Sequence, residues 1–136
     1  MKEITKVVVD AMGGDNAPHE IIKGAVEAVG KSDAIHVILV GKEDVINQEL
    51  SGYTYNKEQI SVVHTSEVIE TAEPPVMAIR RKKDSSIVVG LKMVKDKEAD
   101  AFVSAGSSGA VLAGGQLLVG GIFTGNKAAS DRWNLV

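Results

Sequence analysis

The sequence contains no cysteine and few aromatic residues, with two tyrosines, two phenylalanines and one tryptophan among 136 residues. Without cysteine the chain forms no disulfide and no thiolate metal site, and it has no cysteine nucleophile. The absence also favours an intracellular setting. The three histidines, His19, His36 and His64, are too scattered to predict a metal site, so we expect no bound metal.

Neither sign of charge is in large excess. Fifteen Lys and Arg residues face eighteen Asp and Glu residues, for a formal net charge of −3. This balance argues against nucleic acid as a partner. The only basic concentration is the run Arg80, Arg81, Lys82 and Lys83. It is either a solvated helix end, whose cations suit the C-terminal dipole, or a contact for an acidic partner.

The N-terminus lacks a signal-peptide pattern, because its apolar run is short and carries Asp10, and we therefore expect a cytoplasmic chain. Residues 101–126 carry no charge and are long enough in principle to span a bilayer. Seven glycines and several polar residues interrupt that stretch. A buried strand, a loop and a helix therefore explain it better than a membrane helix does.

Apolar runs typical of strands alternate with helical patterns along the chain. The runs lie at 7–9, 35–40, 60–64 and 101–104. This alternation predicts an open, doubly wound, mostly parallel α/β sheet of the Rossmann-like type with helices on both faces, in an incomplete form.

Between the third and fourth runs, the prolines predict that residues 71–75 are extended and lead into a short helix that ends in the basic run. Residues 84–86, Asp-Ser-Ser, predict the N-cap of the next helix.

The first apolar run ends in a glycine turn flanked by two carboxylates, Asp10 and Asp15. Gly13 and Gly14 permit positive φ and a close approach of the backbone. A strand, a glycine loop and a helix in this order place backbone N–H groups at a crevice. The alternative is a tight connection in which Asp10 and Asp15 accept hydrogen bonds from the loop's own amides.

A second loop of small residues, 104–110, follows the fourth strand and opens an apolar helix. Its backbone can close around an anion, and the Ser107 and Ser108 hydroxyls can donate to phosphate oxygens at the helix N-terminus. The alternative is an ordinary N-cap by Ser107 or Ser108. Neither loop has the complete P-loop or dinucleotide pattern, and Ser107 lacks the setting of a nucleophile elbow.

The two loops follow strands of one parallel sheet, so we expect them to face one crevice. The basic run at 80–83 could face that crevice too.

Residues 7–18, Val-Val-Val-Asp-Ala-Met-Gly-Gly-Asp-Asn-Ala-Pro, closely resemble the N-terminal signature of the bacterial phosphate acyltransferases of phospholipid synthesis. Three further blocks agree with that family in order and spacing: 75–80 with 82–86, then 99–106, then 107–110 with 113–115. Ser108 stands where the family typically has threonine, which keeps the hydroxyl.

The resemblance covers about residues 4–120 and ends there. We expect residues 1–120 to be the N-terminal α/β part of the family's fold and residues 121–136 to be an unrelated or disordered tail. The family would continue for more than twice this length, so the chain looks like a truncated form. Its catalytic residues are unknown and are expected in the absent C-terminal part.

The resemblance implies transfer of a fatty acyl group from acyl carrier protein to inorganic phosphate, which gives an acyl phosphate without a metal or nucleotide cofactor. It also implies a homodimer that is cytoplasmic, with peripheral membrane association. Two rivals stay open. One is an enzyme like phosphate acetyltransferase that uses coenzyme A thioesters, and the other is a ligand-binding fragment without turnover.

Three groups of residues carry this hypothesis. Phosphate and substrate binding is assigned to Ser104, Gly106, Ser107, Ser108 and Gly109. Shaping of the opposing loop is assigned to Asp10, Gly13, Gly14 and Asp15, because a carboxylate beside a phosphate is repulsive. Contact with the acidic carrier protein is assigned to Arg80, Arg81, Lys82 and Lys83.

Overall fold

The computed structural model describes residues 3–119. Within that range the strands are β1 (Thr5–Asp10), β2 (Ile35–Gly41), β3 (Ile60–His64) and β4 (Ala101–Val103). The helices are α1 (His19–Lys31), α2 (Glu43–Leu50), α3 (Pro75–Arg81), α4 (Ser86–Lys95) and α5 (Ser108–Leu118), and a 3₁₀ turn spans Lys57–Gln59. The tail expected at 121–136 lies outside the described residues.

The four strands form one parallel sheet in the order β3-β2-β1-β4. Val8 of β1 lies beside Ile38 of β2 on one side and Phe102 of β4 on the other. The predicted parallel α/β sheet of Rossmann-like type is confirmed. Because the strands are parallel, the loops that follow them gather at one edge of the sheet.

Strand β2 shows why helices are needed on both faces of the sheet. Val37 and Leu39 pack with α1 and α2, whereas Ile38 and Val40 pack with α4 on the opposite face. Successive side chains of a strand point to opposite faces, so a continuous apolar run such as this one is buried on both faces of the sheet. That burial orients both layers of helices around the sheet.

Serine N-caps set the start of two helices. The Ser85 Oγ accepts a hydrogen bond from the Val88 N–H at 3.2 Å, and α4 begins at the next residue. The Ser107 Oγ does the same for the Ala110 N–H at 3.2 Å at the start of α5. Of the two serines considered for the second cap, Ser107 is therefore the one used.

The extended conformation predicted for 71–75 is wrong. The chain turns there, with the Glu73 N–H donating to the Glu70 carbonyl at 3.2 Å. Pro74, with ψ of 122°, has the extended backbone expected of a residue before proline. Proline restricts its immediate predecessor and no earlier residue, so Thr71 and Ala72 were free to turn.

Gly90 of α4 provides a test of this packing, because a side chain there would overlap the Phe102 ring and would lie 3.2 Å from Val8 Cγ1. We expect Gly90→Ala to lose about 1 kcal/mol or more in urea unfolding, since overpacking outweighs the gain in helix propensity. The matched control is Gly24→Ala in α1, where nothing lies within 4 Å. It is expected to gain up to about 1 kcal/mol. Equal effects of the two changes would contradict the packing.

Candidate functional site

Asp10, the last residue of β1, is 1% exposed and joins three parts of the structure. Its Oδ1 accepts from the Ser86 hydroxyl at 2.6 Å and from the Met12 N–H at 3.0 Å. Its Oδ2 accepts from the Ser104 hydroxyl at 2.8 Å. A buried carboxyl group is tolerated when its oxygens are hydrogen-bonded in this way. Asp10 thus ties its own loop to the start of α4 and to the segment after β4.

The two glycine loops touch each other beside Asp10. A Cβ on Gly13 would lie 2.5 Å from Asp10 Oδ2 and 2.8 Å from the Gly106 nitrogen, so only glycine fits at this contact. Gly14 has a φ of +104°, which side chains rarely adopt. In the second loop, the Ser104 Oγ also accepts from the Gly106 N–H at 3.0 Å.

A cavity of about 310 Å³, which we call the crevice, opens between these loops at the carboxyl ends of β1 and β4. A third segment, after β3, closes its other side. The crevice is lined by Met12, Gly13, Gly14, Asp15, Val68, Ile69, Glu70, Thr71, Ala105, Gly106 and Ser107. The expected convergence of both loops on one cavity is therefore present, and the segment 68–71 is a wall that the sequence analysis missed.

On the other side of the second loop lies a second cavity, which we call the apolar groove, of about 400 Å³ between α4, β4 and α5. Its walls are mainly aliphatic and aromatic. The groove is lined by Leu91, Val94, Phe102, Ser104, Gly106, Ser108, Val111, Leu112, Gly115 and Val119. Gly106 lines both cavities, so the second loop separates a polar space from an apolar one.

The residues assigned to phosphate and substrate binding divide between these spaces. Gly106 and Ser107 line the crevice, whereas Ser104 and Ser108 line the apolar groove. Gly109 packs against Pro75 at the start of α3, where an added Cβ would lie 2.9 Å from Pro75 Cγ. The crevice therefore gathers Gly106 and Ser107 from this group, and Ser108 faces away from it.

The N-terminus of α5 is the electrostatic feature of the crevice. The first amides of a helix have no intrahelical carbonyl partner and carry partial positive charge. Ser107, which is 5% exposed, brings its hydroxyl to this point. Asp15 and Glu70 are exposed where they line the crevice, so any anion there would depend on amide donors to offset two carboxylates.

The basic run is divided by the end of α3. Lys82 turns inward, and its Nζ donates to the Val68 carbonyl and to Glu73 Oε2, each at 2.7 Å. Glu73 Oε2 also accepts from the Glu70 N–H at 2.7 Å. We call these contacts of Lys82 with Val68 and Glu73 the Lys82 brace, and they hold the crevice wall at 68–71. Arg80, Arg81 and Lys83 are exposed instead.

Two carboxyl groups near this wall have pKa values below their ordinary range. The pKa of Glu73 is lowered first by the hydrogen bond from Lys82 and then by the one from the Glu70 N–H. The pKa of Asp84 is lowered because its Oδ2 accepts from the Ser66 hydroxyl at 2.6 Å and from the Ser66 N–H at 2.9 Å. Both groups connect the segment after β3 to the region around the end of α3.

Sequence reasoning missed Ser86, Glu73 and the internal role of Lys82. The run Asp84-Ser85-Ser86 carried a usable signal, because a cap needs one serine and the second, at the first helical position, is free to bond elsewhere. The Lys82 brace has no comparable local signal, since its partners lie nine and fourteen residues away in a turn.

Two absences hold for the part of the chain that the structure describes. No group of three metal-ligating side chains is close enough together to hold a metal ion among residues 3–119. Over the same range, no helix has the length and apolar character required to cross a bilayer.

The fold and the crevice define an α/β protein with a cavity at the carboxyl edge of a parallel sheet. Residues 5–128 match the family of fatty acid synthesis proteins. The match extends past residue 120 into the segment that was expected to be unrelated. The chain belongs to that family.

Its relatives include proteins named phosphate acyltransferase. The one from Alkaliphilus oremlandii is 59% identical over 117 residues, which are 86% of this chain and 35% of that protein. The one from Clostridium novyi is 56% identical over 117 residues with the same coverage, and the one from Clostridium botulinum is 50% identical. The chain spans about a third of the length of these curated relatives.

The Lys82 brace gives a pH-dependent expectation. Because the folded pKa of Glu73 is lowered, its contribution to stability is complete above the ordinary value of 4.5 and is lost as pH falls through the folded pKa. We expect Glu73→Gln to lower the midpoint of thermal unfolding at pH 7, and the difference from the parent chain to shrink below pH 4.5. Glu27→Gln, on the exposed side of α1, serves as the control and should show little difference at either pH. A deficit of Glu73→Gln that does not change with pH would contradict the brace.

Proposed function

We propose that this chain forms the amino-terminal part of a site that transfers a fatty acyl group from acyl carrier protein to inorganic phosphate, with acyl phosphate as product. One observation carries the proposal. The second loop has the polar crevice on one side and the apolar groove on the other. An acyl phosphate has the same two parts, an anionic head and an aliphatic chain, joined at the reacting carbon.

The reaction makes clear physical demands. A phosphate oxygen attacks the thioester carbonyl carbon, an oxyanion develops on the carbonyl oxygen, and the carbon–sulfur bond breaks to release the carrier's thiol. The protein must hold phosphate near the carbon and place hydrogen-bond donors where the oxyanion develops. Both demands call for fixed amide and hydroxyl donors in a partly enclosed cavity.

The crevice supplies such donors at the start of α5. We assign phosphate or oxyanion binding to the Ser107 hydroxyl and to the first amides of α5 other than those of Ala110 and Val111, which already donate to the Ser107 Oγ at 3.2 Å and to the Ser107 carbonyl at 3.0 Å. The amide of Gly106 is a weaker candidate because it already donates to Ser104 at 3.0 Å. We assign Ser104 and Ser108 to the substrate on the apolar side, with the acyl chain along the apolar groove.

Asp10, Gly13 and Gly14 act in this proposal by shaping the loop that faces α5, and Asp15 stays at the rim. No cation is among the crevice-lining residues within 3–119. We therefore propose that further positive charge for phosphate comes from a segment equivalent to the part of the relatives that this chain does not span. The homodimer, the cytoplasmic location and the peripheral contact with the membrane are proposals that rest on the family resemblance.

Ser107→Ala tests the phosphate assignment, with Ser85→Ala as a matched control. Both serines cap a helix and are buried, so each change should cost about 1 kcal/mol of stability. Only Ser107 lines the crevice. Calorimetric titration with inorganic phosphate should show an affinity loss of about tenfold for Ser107→Ala, as for a lost bond to a charged group, and little loss for Ser85→Ala. Equal affinity of both variants would contradict the assignment.

An assay of acyl phosphate formation separates the alternatives. Turnover by this chain would exclude a fragment that only binds ligands. Comparison of carrier-protein thioesters with coenzyme A thioesters would then distinguish the proposed enzyme from one like phosphate acetyltransferase. The same assay on the whole Clostridium novyi relative, with the change at its residue equivalent to Ser107, tests the assignment in a longer chain.

A further inference from the structure

A shallow basic groove of about 190 Å³ lies where α3, α4 and α5 meet. Its rim carries three cations, Arg80, Lys83 and Lys92. Its floor consists of Ile79, Val88, Leu117 and Leu118. No acidic residue lines the groove within the described chain.

The course of the chain explains why these cations converge. Helix α3 ends at Arg81, and Lys82 turns inward to its brace with Glu73. Arg80 and Lys83 are left together on the outside. Lys92, in the last turn of α4, joins them from a different helix.

A solvated helix end accounts for the cations but not for the floor. Leu117 is 50% exposed and lines the groove together with the three cations. Leu117 beside three cations offers a partner one aliphatic contact and three charged ones. A partner that covers Leu117 and carries carboxylates would satisfy both parts of the groove.

The whole chain has a net charge of −3, so the groove is a local positive field on an acidic protein. Such a field orients an acidic partner during encounter and gives the association a marked salt dependence. An amphipathic helix fits best, because its apolar residues and carboxylates alternate at helical spacing and match a floor between cations.

We propose that the basic groove docks an acidic amphipathic helix of acyl carrier protein, through carboxylates paired with Arg80, Lys83 and Lys92 and an aliphatic side chain against Leu117. The inference rests on the proposed function for the partner's identity. It removes Arg81 and Lys82 from the contact predicted for residues 80–83, and it adds Lys92 and the apolar floor.

The position of the groove suits a donor that carries its thioester on an extended arm. Helix α5 runs from Ser108, the residue after the crevice-lining Ser107, to Leu118, in the basic groove. At a rise of about 1.5 Å per residue, the two ends of this helix are about 15 Å apart. A carrier docked in the groove therefore delivers its acyl group along α5 to the second loop.

The test is titration of this chain with purified acyl carrier protein, followed by calorimetry at several salt concentrations. Arg80→Glu, Lys83→Glu and Lys92→Glu together should weaken binding by about tenfold or more and should remove most of its salt dependence. Lys23→Glu, Lys31→Glu and Lys57→Glu make the same change in net charge on exposed residues elsewhere. This control should change binding by less than about threefold.

Leu117→Ala separates the floor from the charges. It should weaken carrier binding by about fivefold while the salt dependence stays as in the parent chain, because one exposed aliphatic side chain is removed and no charge changes. Thermal unfolding of each variant shows that the fold is kept.

The outcomes distinguish the groove from the proposed function. Carrier binding that survives the triple charge reversal, or that is absent in the parent chain, would overturn the groove assignment. Binding to vesicles that contain phosphatidylglycerol, through the same cations and without carrier binding, would also overturn it in favour of a membrane contact. Carrier binding without phosphate binding or acyl phosphate formation would retain the groove and reject the proposed transfer.

Discussion

The hydrogen bonds of the buried Asp10 carboxyl group are the interaction on which the rest of the site depends. Its two oxygens connect β1, the start of α4 and the segment after β4, which are otherwise far apart along the chain. The close approach of Gly13 to Gly106 is possible because Asp10 draws both loops to the same point.

The second loop, held against the first, separates the crevice from the apolar groove. The crevice on its polar side begins at the helix N-terminus of α5, and the apolar groove on its other side is lined by α4 and α5. The Lys82 brace fixes the remaining wall of the crevice from behind. A single residue run, 80–83, therefore serves two purposes: Lys82 supports the crevice, and its neighbours Arg80 and Lys83 belong to the outer surface.

Much of this fold could be predicted from the sequence because its signals are local. The β-branched run at 7–9 and the serine caps at 85 and 107 each act within one strand or helix. The parallel sheet follows from the alternation of strands and helices along the chain. The Ser86 bond to Asp10 spans 76 residues and could not be read from any nearby pattern. The direction of Lys82 was likewise hidden, since it depends on where α3 ends and on an unpredicted turn at Glu73.

The central claim is that Asp10 joins two loops into one anion-binding crevice, and the most direct measurement is a phosphate titration followed by backbone amide resonances. The shifts should cluster at residues 12–15, 68–71 and 105–109. In Asp10→Asn the clustered response should weaken at both loops together, whereas Asp15→Asn should retain it. A response confined to the exposed cations Arg80, Lys83 and Lys92, or one that Asp10→Asn leaves unchanged, would contradict the claim.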